Sequence, residues 1–137
     1  MTIADTKKRI LIVDDEESMR LLLGRTVEAL ANVEVTLAGT CEEALHLAGS
    51  RAYDVILLDL LMPGVGGIEV LKAIRSSSPN RQVPVIIVSV MADEDTKIVC
   101  QSLGISAYVV KPVVRESLLA AVRAQFEGPG AATAARK

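Results

Sequence analysis

The chain alternates five short apolar runs with five segments of helical periodicity, and this alternation restricts the fold more than any other feature. The apolar runs are RILIV (9–13), VEVTLA (33–38), DVILLD (54–59), VPVIIVSV (83–90) and ISAYVV (105–110). Strands that alternate with helices predict a parallel sheet with helices on both faces, joined by right-handed crossovers. We therefore expect an α/β fold with a doubly wound, five-stranded parallel sheet.

Between the apolar runs, hydrophobic residues recur at spacings of three and four, the period of an amphipathic helix. The second helix starts on TCEE (40–43), where Thr40 and Glu43 have the spacing of a capping box. The segment 93–104 is short and polar, and it predicts a helix of low local stability. The predicted buried face of the first helix comprises Met19, Leu22, Leu23, Thr26, Val27 and Leu30.

The composition favours an aliphatic core, because half of the 137 residues are hydrophobic while aromatic residues make up only 2%. Aliphatic strands buried on both faces are typical of parallel sheets. A net charge of −2 with both signs scattered gives no basic surface for nucleic acid. No apolar stretch reaches the roughly 18 residues that span a bilayer, and the N-terminus lacks a signal peptide. We expect a cytoplasmic protein without membrane contact.

One domain is expected, because a chain of this length supplies one core but not two. Residues 1–8 are assigned to an N-terminal extension and 9–126 to the folded domain. Residues 127–137, EGPGAATAARK, are assigned to a flexible tail or the start of a linker. Cys41 and Cys100 match no metal-binding spacing, so two free thiols are expected.

Polar side chains are concentrated where the predicted strands end. Asp14 and Asp15 follow the first strand, Asp59 ends the third, Ser89 lies in the fourth and Lys111 follows the fifth. The carboxyl ends of parallel strands meet at one edge of an open sheet, where ligands bind. Three carboxylates at one edge repel one another unless a cation lies among them, and oxygen ligands without His or Cys favour Mg²⁺ over Ca²⁺.

A phosphoryl group fits this arrangement, because protein-bound Mg²⁺ commonly keeps positions for phosphate oxygens. Lys111 can place a positive charge on one phosphoryl oxygen, and Ser89 can donate a hydrogen bond to another. Asp59 is then placed to attack phosphorus and form an acyl phosphate. We expect Asp59 to stand where its strand leaves the core rather than inside it, because an unpaired buried carboxylate is costly.

Four motifs carry a family resemblance: LIVDDE, DLLMPG, the VS that ends the fourth strand, and YVVKP. In this order and spacing the chain resembles the receiver domains of two-component response regulators, and its length is similar to that of the single-domain chemotaxis type. The resemblance covers about residues 9–126. It implies a flavodoxin-like fold with strand order 2-1-3-4-5. It also implies that Asp59 accepts a phosphoryl group from a histidine kinase or a histidine phosphotransfer protein.

The same resemblance implies how Mg²⁺ is held. Asp15 and Asp59 would bind the ion directly, and Asp14 would act mainly through water. The backbone carbonyl of Leu61 would be the third direct protein ligand. The side chain of Leu61 replaces a residue that is often polar in the family, so we expect it to exclude water and slow the loss of the phosphoryl group.

For the phosphoryl group and the response to it, the resemblance implies roles for three further residues. Ser89 and Lys111 would bind the phosphoryl oxygens, and a cis peptide bond before Pro112 would aim Lys111 at the site. Tyr108 would be the switch aromatic, turning inward as Ser89 moves. Val90 stands where the family commonly has a small residue, and a β-branched side chain there is expected to hinder this rotation.

Several alternatives stay open. A phosphohydrolase with an aspartyl nucleophile is disfavoured, because it needs a second acid where this chain has Leu61, and we expect no turnover enzyme. The chain could instead be a pseudo-receiver, a phosphorylation-independent interaction module in which Asp59 is an ion-pair partner of Lys111. The expected partners are a phosphohistidine donor and either a downstream protein or an output domain beyond this chain, with the receiver a monomer or a transient dimer.

Overall fold

Five strands and five helices alternate along the described part of the chain, as the sequence predicts. The structure, a computed structural model, describes residues 7–76 and 79–127. Most of the predicted N-terminal extension (1–6) and tail (128–137) lies outside the described residues. The strands are β1 (Lys8–Val13), β2 (Val33–Ala38), β3 (Val55–Leu58), β4 (Val85–Ser89) and β5 (Ala107–Val110). The helices are α1 (Glu17–Val27), α2 (Cys41–Ser50), α3 (Gly67–Ser76), α4 (Glu94–Ser102) and α5 (Arg115–Phe126).

The strands form one parallel sheet in the order β2-β1-β3-β4-β5, which confirms the predicted fold. In the central pair, Val13 at the end of β1 lies opposite Leu58 at the end of β3. The chain therefore leaves both strands at the same level of the sheet. This is also where the strand order reverses, the position at which open α/β sheets bind ligands.

Alternate side chains of the central strands point to opposite faces of the sheet, and each face has its own apolar core. One core combines Ile10, Ile12, Val55 and Leu57 with residues of α1 and α5. The other combines alternate residues of the same strands with residues of α2, α3 and the last turn of α4. Both faces are thus covered, and the purely aliphatic β3 is buried along its whole length.

The predicted buried face of α1 is too wide. Leu23, Thr26 and Val27 are buried, but Leu22 is 53% exposed and was wrongly placed in the core. Successive helical residues point about 100° apart, so a helix lying on a sheet buries one narrow stripe. Leu22 falls at the border of that stripe. None of the described helices is long and apolar enough to cross a membrane.

The capping box at the start of α2 is confirmed. The backbone N–H of Glu43 donates to Thr40 Oγ1 at 3.0 Å. The Glu43 carboxylate accepts from the backbone N–H of Gly39 at 2.8 Å, one residue before the cap. The first bond satisfies a donor that the helix itself leaves unpaired, and the second fixes the exit of the chain from β2.

Candidate functional site

Three carboxylates meet at the carboxyl edge of the sheet, as predicted. The backbone N–H of Asp59 donates to the carbonyl of Val13 at 2.9 Å, so the β1–β3 hydrogen bonds continue up to the acidic residues. Carboxylate oxygens of Asp14, Asp15 and Asp59 lie within 4.8 Å of one another. An all-oxygen cluster of this kind fits a hard cation such as Mg²⁺.

Asp14 is fully buried, and each of its carboxylate oxygens accepts a hydrogen bond from the protein. Oδ1 accepts from the backbone N–H of Glu16 at 2.9 Å, and Oδ2 accepts from Nζ of Lys111 at 2.9 Å. Asp15 is exposed by contrast. The side chain of Asp15 is therefore the acid that meets solvent at this cluster.

Asp59 is only 5% exposed, so the expectation that it stands outside the core is wrong. Its Oδ1 accepts from the backbone N–H of Leu61 at 3.1 Å, and its Oδ2 accepts from Nζ of Lys111 at 3.2 Å. A buried carboxylate is tolerated when it is paired and hydrogen-bonded, and Lys111 supplies that pairing.

Gly67, the first residue of α3, keeps the segment after Asp59 in place. Its N–H donates to the carbonyl of Leu60 at 3.0 Å. A Cβ at Gly67 would lie 2.4 Å from the carbonyl oxygen of Asp59 and 2.4 Å from the Cα of Leu60. Glycine is therefore required by close packing against the backbone at the acidic site, and this contact brings the start of α3 over Asp59.

Lys111 contacts both buried acids, Asp14 and Asp59, through its ammonium group. It directly follows β5, its backbone N–H donates to the carbonyl of Ser89 at 2.9 Å, and its peptide bond to Pro112 is cis. Burial alone would lower the pKa of Lys111, but the hydrogen bond to Asp14 and the charge of Asp59 outweigh it and raise the pKa above its ordinary value. Lys111 is therefore a charged ammonium at neutral pH.

Ser89 is the buried last residue of β4. Its Oγ accepts a hydrogen bond from the backbone N–H of Met91 at 3.3 Å. Because a hydroxyl group also carries one donor, the Ser89 proton can serve a ligand oxygen while this contact persists.

Tyr108 on β5 is half-buried, and its hydroxyl donates to the carbonyl of Met91 at 2.5 Å. Nζ of Lys97 lies 5.6 Å from the centre of its ring. Burial raises the pKa of the Tyr108 hydroxyl, and nearby acidic groups add to this shift. Val90, which is expected to hinder rotation of Tyr108, is exposed in the segment between Ser89 and Met91.

Sequence reasoning missed Arg20, whose Nη1 donates to the carbonyl of Asp14 at 2.9 Å from the first turns of α1. Its guanidinium also lies over Gly39, where an added Cβ would come within 2.7 Å of Nη1. The spacing of six residues after Asp14 places Arg20 one turn into the following helix. That spacing could have suggested a contact with the acidic pair.

Residues 10–123 match the family model described as the response regulator receiver domain. The chain belongs to this family. Receiver domains work with histidine kinases and output domains in two-component systems, and they are not turnover enzymes on external substrates.

The receiver domain is 38% identical over 120 residues to the probable transcriptional regulator ycf27 of Guillardia theta, covering 88% of this chain and 46% of that protein. It is 32% identical to the chemotaxis protein CheY of Pseudomonas aeruginosa, covering 87% of this chain and 96% of that protein. The chain thus spans about half the length of several curated relatives it matches.

A solved structure with the same architecture is the receiver domain of the sensor histidine kinase PA1611 from Pseudomonas aeruginosa, described with a magnesium ion coordinated in its active site cleft. The two share a TM-score of 0.80 at 25% identity, over 90% of this chain and 100% of that one.

Proposed function

We propose that this receiver domain accepts a phosphoryl group on Asp59 from the phosphohistidine of a histidine kinase or histidine phosphotransfer protein in the cytoplasm. One observation carries the proposal: the Lys111 ammonium contacts both Asp59 and Asp14, beside the exposed Asp15. A carboxylate nucleophile, a fixed cation and an open acidic position are the parts that phosphoryl transfer to a carboxylate requires.

In the proposed step an oxygen of Asp59 attacks phosphorus as the bond from phosphorus to the donor imidazole nitrogen breaks. The acyl phosphate forms on Asp59, and the imidazole leaves with the electron pair of the broken bond. Lys111 and Ser89 bind phosphoryl oxygens, the first through its charge and the second through its hydroxyl proton. Lys111 thereby exchanges part of its contact with Asp59 for contact with the transferred group.

Asp15 and Asp59 are proposed as direct ligands of Mg²⁺, with the carbonyl of Leu61 as a third and Asp14 acting through water. The exposure of Asp15 supports its place as a direct ligand, because its carboxylate is open to an incoming ion while Asp14 is fully buried. When bound, Mg²⁺ neutralises charge on the transferring group. The magnesium described in the PA1611 receiver supports the choice of ion.

A protein donor is favoured by apolar side chains that surround the site. Leu61 after β3, Val90 after β4 and Val114 after β5 are all exposed. Loops that follow adjacent strands lie side by side at the carboxyl edge, so these residues offer apolar contact area around the proposed acceptor.

The proposed output is a change at the surface formed by α4, β5 and α5, transmitted through Ser89 and Tyr108. Ile98, Val99 and Val110 are exposed on α4 and β5, and they offer contact area for a downstream protein, an output domain or a transient dimer. Tyr108 links this surface to the segment after Ser89 through its hydrogen bond to Met91.

Intact-mass measurement tests the proposal directly. Incubation with acetyl phosphate or phosphoramidate and Mg²⁺ should add one phosphoryl group to the chain and none to Asp59→Asn. Asp54→Asn is the matched control, because Asp54 flanks the other end of β3 and accepts from the backbone N–H of Arg9. No mass gain, or an equal gain in Asp59→Asn, would refute the proposal and leave a phosphorylation-independent interaction module.

A further inference from the structure

The guanidinium of Arg75, in the last turn of α3, donates to three backbone carbonyls. Nε donates to Leu103 at 2.7 Å, Nη2 to Gly104 at 3.0 Å and Nη1 to Arg81 at 3.1 Å. The first two carbonyls belong to the end of α4, and the third belongs to the α3–β4 connection. One side chain thus ties α3 to the end of α4 and to the approach to β4.

The carboxyl-terminal end of α4 is fixed in other ways as well. Cys100, in the last turn, is fully buried in the core. Gly104 has a φ of +74°, and Leu103 and Gly104 donate to carbonyls of the last turn, which closes the helix. The positive charge of Arg75 also stabilises the negative end of the α4 dipole.

The amino-terminal turns of α4 are much less buried than its carboxyl-terminal end. No residue of its first two turns is buried, and Ile98 and Val99 are exposed. Its cap is local, since Asp93 accepts from Thr96 within the same turn. A groove of about 360 Å³ separates this end from α3 and is lined by Ile68, Lys72, Met91, Asp95, Thr96 and Val99.

We propose that Arg75 forms the hinge of α4: it holds the carboxyl-terminal end of the helix on α3 while the amino-terminal turns move over the groove. Arg75 is suited to this because Leu71 and Ile74 of the same helix are buried, so its backbone is rigidly placed. A guanidinium presents several donors in a fixed plane, whereas a lysine ammonium acts as a point charge. The role of this motion in output rests on the proposed function, but the hinge is a property of the unmodified chain.

Amide hydrogen exchange measured residue by residue by NMR tests the hinge. In the natural chain, the amides of Leu103 and Ile105 should exchange at least about tenfold more slowly than those of Ile98 and Val99. In Arg75→Met, exchange at Leu103 and Ile105 should rise about tenfold while β3 amides change less than about twofold. Arg81→Met is the matched control, because Arg81 contributes only its backbone carbonyl, and it should leave these rates unchanged.

Unchanged exchange at Leu103 and Ile105 in Arg75→Met, or slower exchange in the first turns of α4 than in the last, overturns the hinge. If the methionine variant does not fold, the Arg75→Lys variant tests the hinge in its place. Lysine keeps the charge but cannot reach three carbonyls at once, so the same two amides should exchange faster. Rates equal to those of the natural chain would overturn the proposal.

A second experiment measures amide chemical shifts of the phosphorylated chain. After treatment with acetyl phosphate and Mg²⁺, amide shifts within α4 should change at Glu94–Val99 and stay nearly constant at 103–105. The reverse distribution overturns the hinge. Absence of a mass gain refutes phosphoryl acceptance instead, and the exchange rates of the unmodified chain still decide the hinge.

Discussion

In the absence of Mg²⁺, replacing Lys111 with methionine should lower the free energy of unfolding by about 3 kcal/mol. Adding Mg²⁺ should restore much of that loss. Lys111 contacts Asp14 Oδ2 at 2.9 Å and Asp59 Oδ2 at 3.2 Å. Among the described residues no other cation pairs with these two acids. The variant therefore leaves two buried carboxylates side by side without a counter-charge.

The size of this stability loss follows from the two distances between Lys111 Nζ and the carboxylate oxygens. At an effective dielectric constant of about 20, each contact is worth about 5 kcal/mol of attraction. Desolvation of the ammonium, whose side chain is only 11% exposed, offsets a large part of this gain. Breaking a buried pair by removing one partner costs roughly 3–5 kcal/mol, and the open side of the site at Asp15 favours the lower value.

The pH dependence has a definite sign. Because the pKa of Lys111 in the folded state lies above its ordinary value of 10.5, the stabilisation by its charge is fully present at neutral pH. It is lost only as the pH rises through that raised value. The stability difference between the natural chain and Lys111→Met should therefore be constant near neutrality and shrink in alkaline solution.

Urea unfolding followed by circular dichroism measures this difference, since the chain has no tryptophan. Saturating Mg²⁺ should stabilise the variant more than the natural chain, because no ammonium repels the ion there. Lys72→Met is the control: Lys72 pairs with Glu69 on the exposed face of α3, and its loss should cost less than about 0.5 kcal/mol. Two results would refute the reasoning: a loss of unfolding free energy below about 1 kcal/mol for Lys111→Met, or a stability difference from the natural chain that Mg²⁺ leaves unchanged.

Four further substitutions, two of them a matched glycine pair, have defined outcomes. Gly67→Ala forces a Cβ against the backbone of Asp59 and should lower the unfolding free energy by about 1–3 kcal/mol, whereas Gly49→Ala in the open end of α2 should raise it by up to about 1 kcal/mol. Asn80→Ala removes three hydrogen bonds to the backbone around the end of α2 and should cost about 2–4 kcal/mol in urea unfolding. Leu61→Asn should shorten the lifetime of the phosphorylated form roughly fivefold by mass spectrometry, because an amide that positions water lowers the barrier by about 1 kcal/mol. Equal stabilities of the two glycine variants, a neutral Asn80→Ala or an unchanged phosphate lifetime would contradict the respective argument.

Features that depend on neighbouring residues were readable from the sequence. The alternation of strands and helices predicted the parallel sheet, and the spacing of Thr40 and Glu43 predicted the capping box that forms. The grouping of the acids also followed, because the carboxyl ends of parallel strands necessarily share one edge.

Among contacts between residues far apart in the chain, only those at the shared carboxyl edge of the strands were readable, and the degree of burial there was not. The burial of Asp59 results from the return of the chain at Gly67 and from pairing with Lys111, which is 52 residues away. The side chains of Arg75 and Asn80 bind backbone groups that lie 27 or more residues away in the chain. The exception is the carbonyl of Arg81, six residues from Arg75. A single polar residue in a helix or loop gives no local sign of such partners.

Localisation of the phosphoryl group tests the central claim most directly. Borohydride reduces an aspartyl phosphate to homoserine, and tandem mass spectrometry can locate that residue in the chain. After treatment with acetyl phosphate and Mg²⁺, homoserine should be found at position 59, with Asp14 and Asp15 unchanged. Homoserine at position 14 or 15, or a phosphoryl group carried by another type of residue, would contradict the account.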